Sequence, residues 1–140
     1  MQVVYTAQAT ARGGGRNGQS ATDDGKIDLK MTTPKEMGGT GEGANPEQLF
    51  AVGYAACYLG ALRAAAGREK VQLPEDTTIT ARVGIGKRDD GEGFGLEVAL
   101  DGNLPGMDRQ QAEALMEKAH RICPYSHSIR GNVPVTTRVV

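Results

Sequence analysis

Residues Asn45–Gly67 read NPEQLFAVGYAACYLGALRAAAG, and between Leu49 and Ala66 the only charged side chain is that of Arg63. Both ends of the stretch carry helix start and stop chemistry. Asn45 suits an N-cap and Pro46 the first helical position, where its missing N–H costs nothing. Glu47 falls in the first turn, where a carboxylate complements the helix dipole. Gly67 suits the left-handed residue that closes a helix. A helix that is apolar on all faces is a buried one, so this stretch predicts a long central helix with the rest of the chain packed around it. Gly53, Ala56 and Gly60 recur at spacings of three and four, which leaves room for another backbone along that side. Cys57 lies near the centre, and a thiol in such a place is the first thing to explain.

Working outward, residues 32–46 (TTPKEMGGTGEGANP) form a long Gly-rich loop before the helix, of a length that is more often functional or mobile than idle. Val3 to Thr10 alternates and is β-branched enough for a strand, and ARGGGRNGQ after it predicts a flexible turn. Ile27 to Met31 alternates as a half-buried strand. Beyond the helix, REKVQLPED is a polar connection broken at Pro74. Thr78 to Lys87 (TITARVGIGK) and Leu96 to Leu100 are strands joined across the hairpin turn RDDGEGFG. Asp108 is a candidate N-cap with Gln111 at capping-box spacing. Ala112, Leu115, Met116, Ala119 and Ile122 then mark one face of a second helix, which Pro124 ends directly after Cys123. Asn132 to Val140 is a closing β-branched strand.

Strands grouped on either side of a long helix predict an α+β fold, an antiparallel sheet on a central helix with a second helix, in a single domain over residues 1–140. One sheet covers only one side of a wholly apolar helix. A second copy of the chain is the simplest supplier of the remaining cover, so an intertwined homodimer is expected.

The chain has 140 residues and a net charge of −1, which gives no electrostatic case for nucleic acid or an anionic membrane. Aromatics are 4% and tryptophan is absent, so the stacking platforms of single-strand binders are missing too. MQVVYTAQAT lacks a basic n-region and a continuous apolar h-region, so no signal peptide is expected. The central helix approaches membrane-span length, but its Ala/Gly-rich composition, Arg63 and capped ends favour a soluble core. The expected location is the cytoplasm.

That compartment keeps thiols reduced, so two cysteines there are two inert core thiols, part of a metal site, or a redox pair. Only a thiolate attacks, and burial among apolar side chains raises a thiol's pKa. Cys57 is twelve residues into the helix, beyond the reach of its dipole. If it reacts, a cation has to be delivered from elsewhere. Arg16, in the Gly-rich GGGRNG, is a candidate, with Arg12 its competitor and a solvated surface charge the blander assignment. Glu47 could hold Arg16 by a fork of two hydrogen bonds. Glu47 lies ten residues before Cys57, about 15 Å along the helix and turned by about 80°, so the two cannot touch within one chain. A long arginine spans the gap, or the partner chain's copy of Glu47 completes the site at the dimer interface; the second is preferred. Cys123, at a helix C-terminus where the dipole disfavours a thiolate, is the poorer nucleophile. A zinc reading would use His120, Cys123 and His127 in H-x2-C-x3-H spacing with Cys57 as fourth ligand, although mixed zinc sites usually carry paired short spacings on turns. Tyr54, Tyr58 and Tyr125 read as core or pocket-wall aromatics.

NPEQLFAVGYAAC around Cys57 and AHRICPYSHSIRGN around Cys123 resemble the organic hydroperoxide resistance (Ohr) family of the OsmC superfamily. GGRNG near the start and the segment before the helix extend the resemblance over essentially the whole chain, and CPYS with GY-x-AC points to the Ohr branch. His127 stands where Asn is common, and Tyr58 where Phe is. The resemblance implies an OsmC-like intertwined homodimer and an organic hydroperoxide reductase, a thiol peroxidase acting on alkyl and fatty-acid hydroperoxides. It makes Cys57 the peroxidatic and Cys123 the resolving cysteine, Arg16 the activating arginine and Glu47 the residue that orients it. It implies no bound cofactor or metal, only an external dithiol, dihydrolipoamide or a lipoylated protein. The contrasting expectation is a non-catalytic binding or zinc-binding protein in which Cys57 is a structural core thiol.

Overall fold

The computed structural model describes residues 1–140, and the chain divides into two compact units, Met1–Leu49 and Phe50–Val140. In the first, an antiparallel meander runs in the order β1 (Ala9–Gly14), β2 (Asn17–Thr22), β3 (Asp28–Met31). The strand expected at Val3–Thr10 is displaced to Ala9–Gly14, and most of the stretch read as a flexible turn is paired instead, Arg12 opposite Gln19 and Gly13 opposite Gly18. The turn shrinks to Gly15–Arg16 between the paired Gly14 and Asn17. Gly15 has φ +66° at the first turn position, where a tight two-residue hairpin calls for glycine. Cross-strand pairing has here overridden the low strand propensity of glycine.

The Gly-rich loop that follows is tied down. Thr32 N–H donates to the Ala44 carbonyl and Ala44 N–H to the Lys30 carbonyl, both at 2.9 Å, and a short 3-10 turn spans Lys35–Met37. Asn45 then caps α1 (Pro46–Arg68) as expected, and does so reciprocally. Its side chain accepts from Gln48 N–H at 2.9 Å, while the Gln48 side chain accepts from Asn45 N–H at 3.0 Å.

The second unit holds the main core. β4 (Thr78–Lys87) and β5 (Phe94–Asn103) pair antiparallel along their full length around the expected hairpin, and β6 (Val135–Val139) joins β5 in parallel. The single antiparallel sheet of the sequence reading is therefore two three-stranded sheets, one of them mixed. α2 (Arg109–Ile122) begins at Asp108, whose carboxylate accepts from Gln111 N–H. Pro124 ends α2 but also opens a further short helix, α3 (Pro124–Ile129). Tyr54, Tyr58 and Leu62 of α1, Leu100 of β5, Met116 of α2 and Cys123 are fully buried together. Each such aliphatic side chain contributes about 2 kcal/mol by leaving water.

Two local expectations for α1 change. Gly67 does not close it; the helix runs to Arg68 and the left-handed residue is Lys70, at φ 55°. Nor is the helix covered on all faces. Tyr54, Tyr58, Ala61, Leu62, Ala65 and Ala66 are buried, but Val52, Ala56, Gly60 and Ala64 form an uncharged exposed stripe at four-residue spacing, with Val52 70% exposed.

On the β4–β5–β6 sheet, Asp101 lies opposite Thr80 on one side and Arg138 on the other, and both Arg82 and Arg138 pair with its carboxylate. Hydrogen bonding to Arg138 first, and to Arg82, holds that carboxyl below the usual range in spite of the opposing effect of burial. The folded state thus binds a proton there less readily than the unfolded chain. Its contribution is complete above the unfolded value of about 4 and is lost as pH falls through the lower folded one. Asp101→Asn should accordingly lower the Tm at pH 7, and the gap from the parent should close in thermal melts taken at progressively more acid pH below about 4.

Candidate active site

Two pairs of chemistry-bearing side chains form, one in each unit. In the second unit Cys57 meets Cys123. Cys57 is carried in mid-helix on α1, and Cys123 is at once the C-cap of α2 and the N-cap of α3, with φ −63° and ψ 125°. The reversal at Cys123 follows from Pro124, which cannot continue α2 yet suits the first position of a new helix. It aims the Cys123 thiol at Cys57, with the sulfurs 3.6 Å apart. Both thiols are free; Cys123 is fully buried and Cys57 partly exposed. Burial pushes the Cys57 thiol up from its ordinary value. The Tyr125 backbone N–H on its sulfur opposes that shift, and the adjoining Cys123 adds to it. Among the groups of this unit, nothing makes Cys57 a thiolate at neutral pH.

Aromatic rings gather in the same core cluster as the thiols. Phe50, Tyr54 and Tyr125 stand with centroids 5.7–5.9 Å apart. The Tyr54 hydroxyl pairs with Ser126 Oγ at 2.7 Å, and the Tyr58 hydroxyl donates to the Met116 carbonyl at 2.6 Å. Burial pushes both phenols up, so they remain protonated and their polar tips are taken. They serve as core, while Tyr125, 40% exposed, is wall.

The first unit brings Arg16 to Glu47. Arg16 sits in the β1–β2 turn and Glu47 in the first turn of α1. The guanidinium grips the carboxylate in a fork, Nη1 to Oε2 at 2.9 Å and Nη2 to Oε1 at 2.6 Å. The Arg16 side chain is 38% exposed and that of Glu47 11%. Hydrogen bonding to Arg16 holds the Glu47 carboxyl low, and the same bonds hold the Arg16 guanidinium high, so both are charged near neutrality. Arg12, the competitor, is exposed on β1 opposite Gln19. The fork expected between Arg16 and Glu47 is present within one chain.

No three His, Cys, Asp or Glu side chains gather closely enough to hold a metal ion, so the H-x2-C-x3-H spacing does not close on one. His127 is exposed on α3. His120 is held neutral by burial and by the Arg130 charge, and its buried Nδ1 has no partner. A cleft of about 770 Å³ opens along the β4–β5 hairpin between Gly84, Lys87, Arg88, Glu97 and Asn132, and neither cysteine lines it. Sequence reasoning missed α3, and with it the Tyr125 N–H on Cys57 and the Ser126 hydroxyl on Tyr54. The signal was available: Pro124 directly after Cys123 is also an N-cap followed by proline at N1.

The chain is similar to known proteins. The family model described as OsmC-like protein matches residues 39–138. The organic hydroperoxide resistance protein of Xanthomonas axonopodis pv. citri is 49% identical over 136 residues, covering 96% of this chain and 94% of the relative. A crystal structure of an organic hydroperoxide resistance protein from Legionella pneumophila superposes with a TM-score of 0.92 at 46% identity, covering 99% and 98% of the two chains. The OhrB structure from Bacillus subtilis superposes with a TM-score of 0.89 at 41% identity, covering 99% and 100%.

The Tyr54–Ser126 pair joins α1 to the helix that follows Cys123, and it is buried at both ends. Ser126→Ala strands a buried phenol and should cost about 1–3 kcal/mol in denaturant unfolding. Adding Tyr54→Phe should recover much of that loss, because no unpaired polar group then remains.

Proposed function

The chain belongs to the Ohr branch of the OsmC family, and from that premise we propose that it is a thiol peroxidase reducing organic hydroperoxides to alcohols. The observation that carries this is the reachable thiol of Cys57 with a second, sealed thiol 3.6 Å away. A sulfur that reacts with an outside substrate must be accessible, and one that answers it from within must be close and shielded.

In the proposed cycle the Cys57 thiolate attacks the distal peroxide oxygen. The O–O bond breaks, the alkoxide leaves and takes a proton to become the alcohol, and Cys57 becomes a sulfenic acid. The Cys123 thiol then attacks that sulfur, water departs with the oxygen, and a Cys57–Cys123 disulfide forms. An external dithiol of the lipoyl class, free or protein-borne, returns both thiols by exchange and is itself oxidised to a disulfide. The aromatic surface of Phe50 and Tyr125 suits an alkyl substituent better than it suits hydrogen peroxide.

Burial opposes ionisation of Cys57, so the cycle needs a cation, and we assign that part to Arg16, oriented by Glu47. Each pKa unit by which the thiolate is favoured requires about 1.4 kcal/mol. A guanidinium already fixed in a fork loses little further freedom in providing it. The protein would act as an intertwined homodimer in the cytoplasm, with the partner's copy of the Arg16–Glu47 pair completing each site. The exposed stripe Val52, Ala56, Gly60, Ala64 on α1 supports that assembly, since small residues let a second helix approach closely.

Two experiments test these proposals. Turnover of tert-butyl or fatty-acid hydroperoxide with dihydrolipoamide should vanish in Cys57→Ser, whereas Cys123→Ser should leave a sulfenic acid that dimedone traps at Cys57; full activity of Cys57→Ser sinks the assignment. Light scattering should give twice the chain mass. Ala56→Glu should yield monomers with turnover reduced by about tenfold or more, as expected if losing the cation raises the Cys57 pKa by a unit; a dimeric, fully active variant would remove the α1 stripe from the interface.

A further inference from the structure

α2 ends against a proline, and that leaves its last carbonyls short of donors. In an unbroken helix the His120 carbonyl would accept from the N–H of residue 124, but Pro124 has none. The Arg121 carbonyl would accept from residue 125, which the extended backbone of Cys123, at ψ 125°, turns out of α2. Both carbonyls find the same substitute. Arg130 Nη2 donates to the His120 carbonyl at 3.1 Å and to the Arg121 carbonyl at 3.3 Å. Arg130 directly follows α3, so its guanidinium reaches back past that whole helix to the end of α2. Inside the span, the His127 N–H donates to the Cys123 carbonyl at 2.9 Å and Ser128 Oγ to the Pro124 carbonyl at 2.7 Å. Residues 120–130 thus form a closed loop that contains Cys123, and Arg130 is its clasp.

We propose that Arg130 is a positioning residue for Cys123: by clasping the end of α3 to the end of α2 it holds the Cys123 thiol against Cys57. The inference rests on those two thiols being the redox pair of the proposed cycle. Their sulfurs are 3.6 Å apart, so little motion separates the dithiol from the disulfide. The clasp acts mainly on one of these two states. In the dithiol, the junction is restrained by Arg130 and by the Tyr54–Ser126 hydrogen bond. In the disulfide, the S–S bond restrains it as well. Removing the clasp therefore frees the dithiol more than the disulfide, and re-ordering the freed segment is added to the cost of closing the bond. The disulfide becomes easier to reduce. Arg130 is exposed, and water competing for its donors keeps the effect modest.

The test is the equilibrium of the full chain with reduced and oxidised dithiothreitol. The Cys57–Cys123 disulfide takes two electrons and two protons from the reagent, which closes to its own cyclic disulfide. The two protein forms are counted by mass spectrometry after alkylation of free thiols. Arg130→Ala should move the constant toward the protein dithiol by about threefold to tenfold. Should Arg130→Ala not fold, Arg130→Met keeps the stem, loses only the donors and should move the constant the same way. Arg130→Lys, which retains a cationic donor, should recover part of the shift. Arg109→Ala removes an exposed arginine at the other end of α2, with its own bonds to Glu113 and the Val139 carbonyl. It should leave the constant at the parent value, whatever it does to Tm. A parent-like constant in Arg130→Ala or Arg130→Met overturns the proposal, as does a shift toward the disulfide or an equal shift in Arg109→Ala. No hydroperoxide enters this measurement, and its consumption by the same preparations is read separately. A shifted constant in a chain that consumes no hydroperoxide discards the peroxidase reading and keeps the positioning role; consumption with an unshifted constant does the reverse.

Discussion

A thiol in the middle of a helix has no activator of its own. Cys57 is too far into α1 to benefit from the helix dipole, and its surroundings push its pKa up. Every other feature around it is therefore something brought to it by the rest of the chain. The polypeptide reverses at Cys123 and Pro124 so that a second sulfur faces the first. The aromatic side chains of α1 and α3 close around both.

Those arrangements hold because few polar groups near the sulfurs are left to wander. The Tyr58 hydroxyl is anchored on α2 and the Tyr54 hydroxyl on α3, so the two phenols tie α1 to the two helices that flank Cys123. A buried hydrogen-bonded pair contributes modestly to net stability, but leaving one partner alone is costly, which gives such pairs their power to specify one packing. Arg16 and Glu47 follow the same logic in the other unit. Their fork makes a mobile guanidinium on a two-residue turn into a group with a defined direction.

The α1 stripe of Val52, Ala56, Gly60 and Ala64 shows where local reasoning was half right. Its apolar residues run all round the helix, and one face does reach the core. The other remains open in the single chain. The meander misled in the opposite sense. Glycines at positions 13, 14 and 18 looked like a flexible turn, but cross-strand partners drew them into β1 and β2 and left only Gly15 and Arg16 to turn. Gly67 failed as a helix terminator because the chain found its left-handed residue three positions later, at Lys70.

The amino-acid sequence alone determined what depends on neighbours along the chain: the caps at Asn45 and Asp108, the apolar span of α1, the long β4 strand, the hairpin before β5 and the face of α2. It also singled out Cys57, Cys123, Arg16 and Glu47, through chemistry and through resemblance to a family. Only the tertiary structure decided that the two sulfurs stand 3.6 Å apart, that Arg16 forks onto Glu47, that β6 joins β5 in parallel and that a helix begins at Pro124. The reason is one of range. Capping, propensity and periodicity act within a few residues, whereas Cys57 and Cys123 are 66 positions apart, and their meeting depends on how α1, α2 and α3 pack into one core.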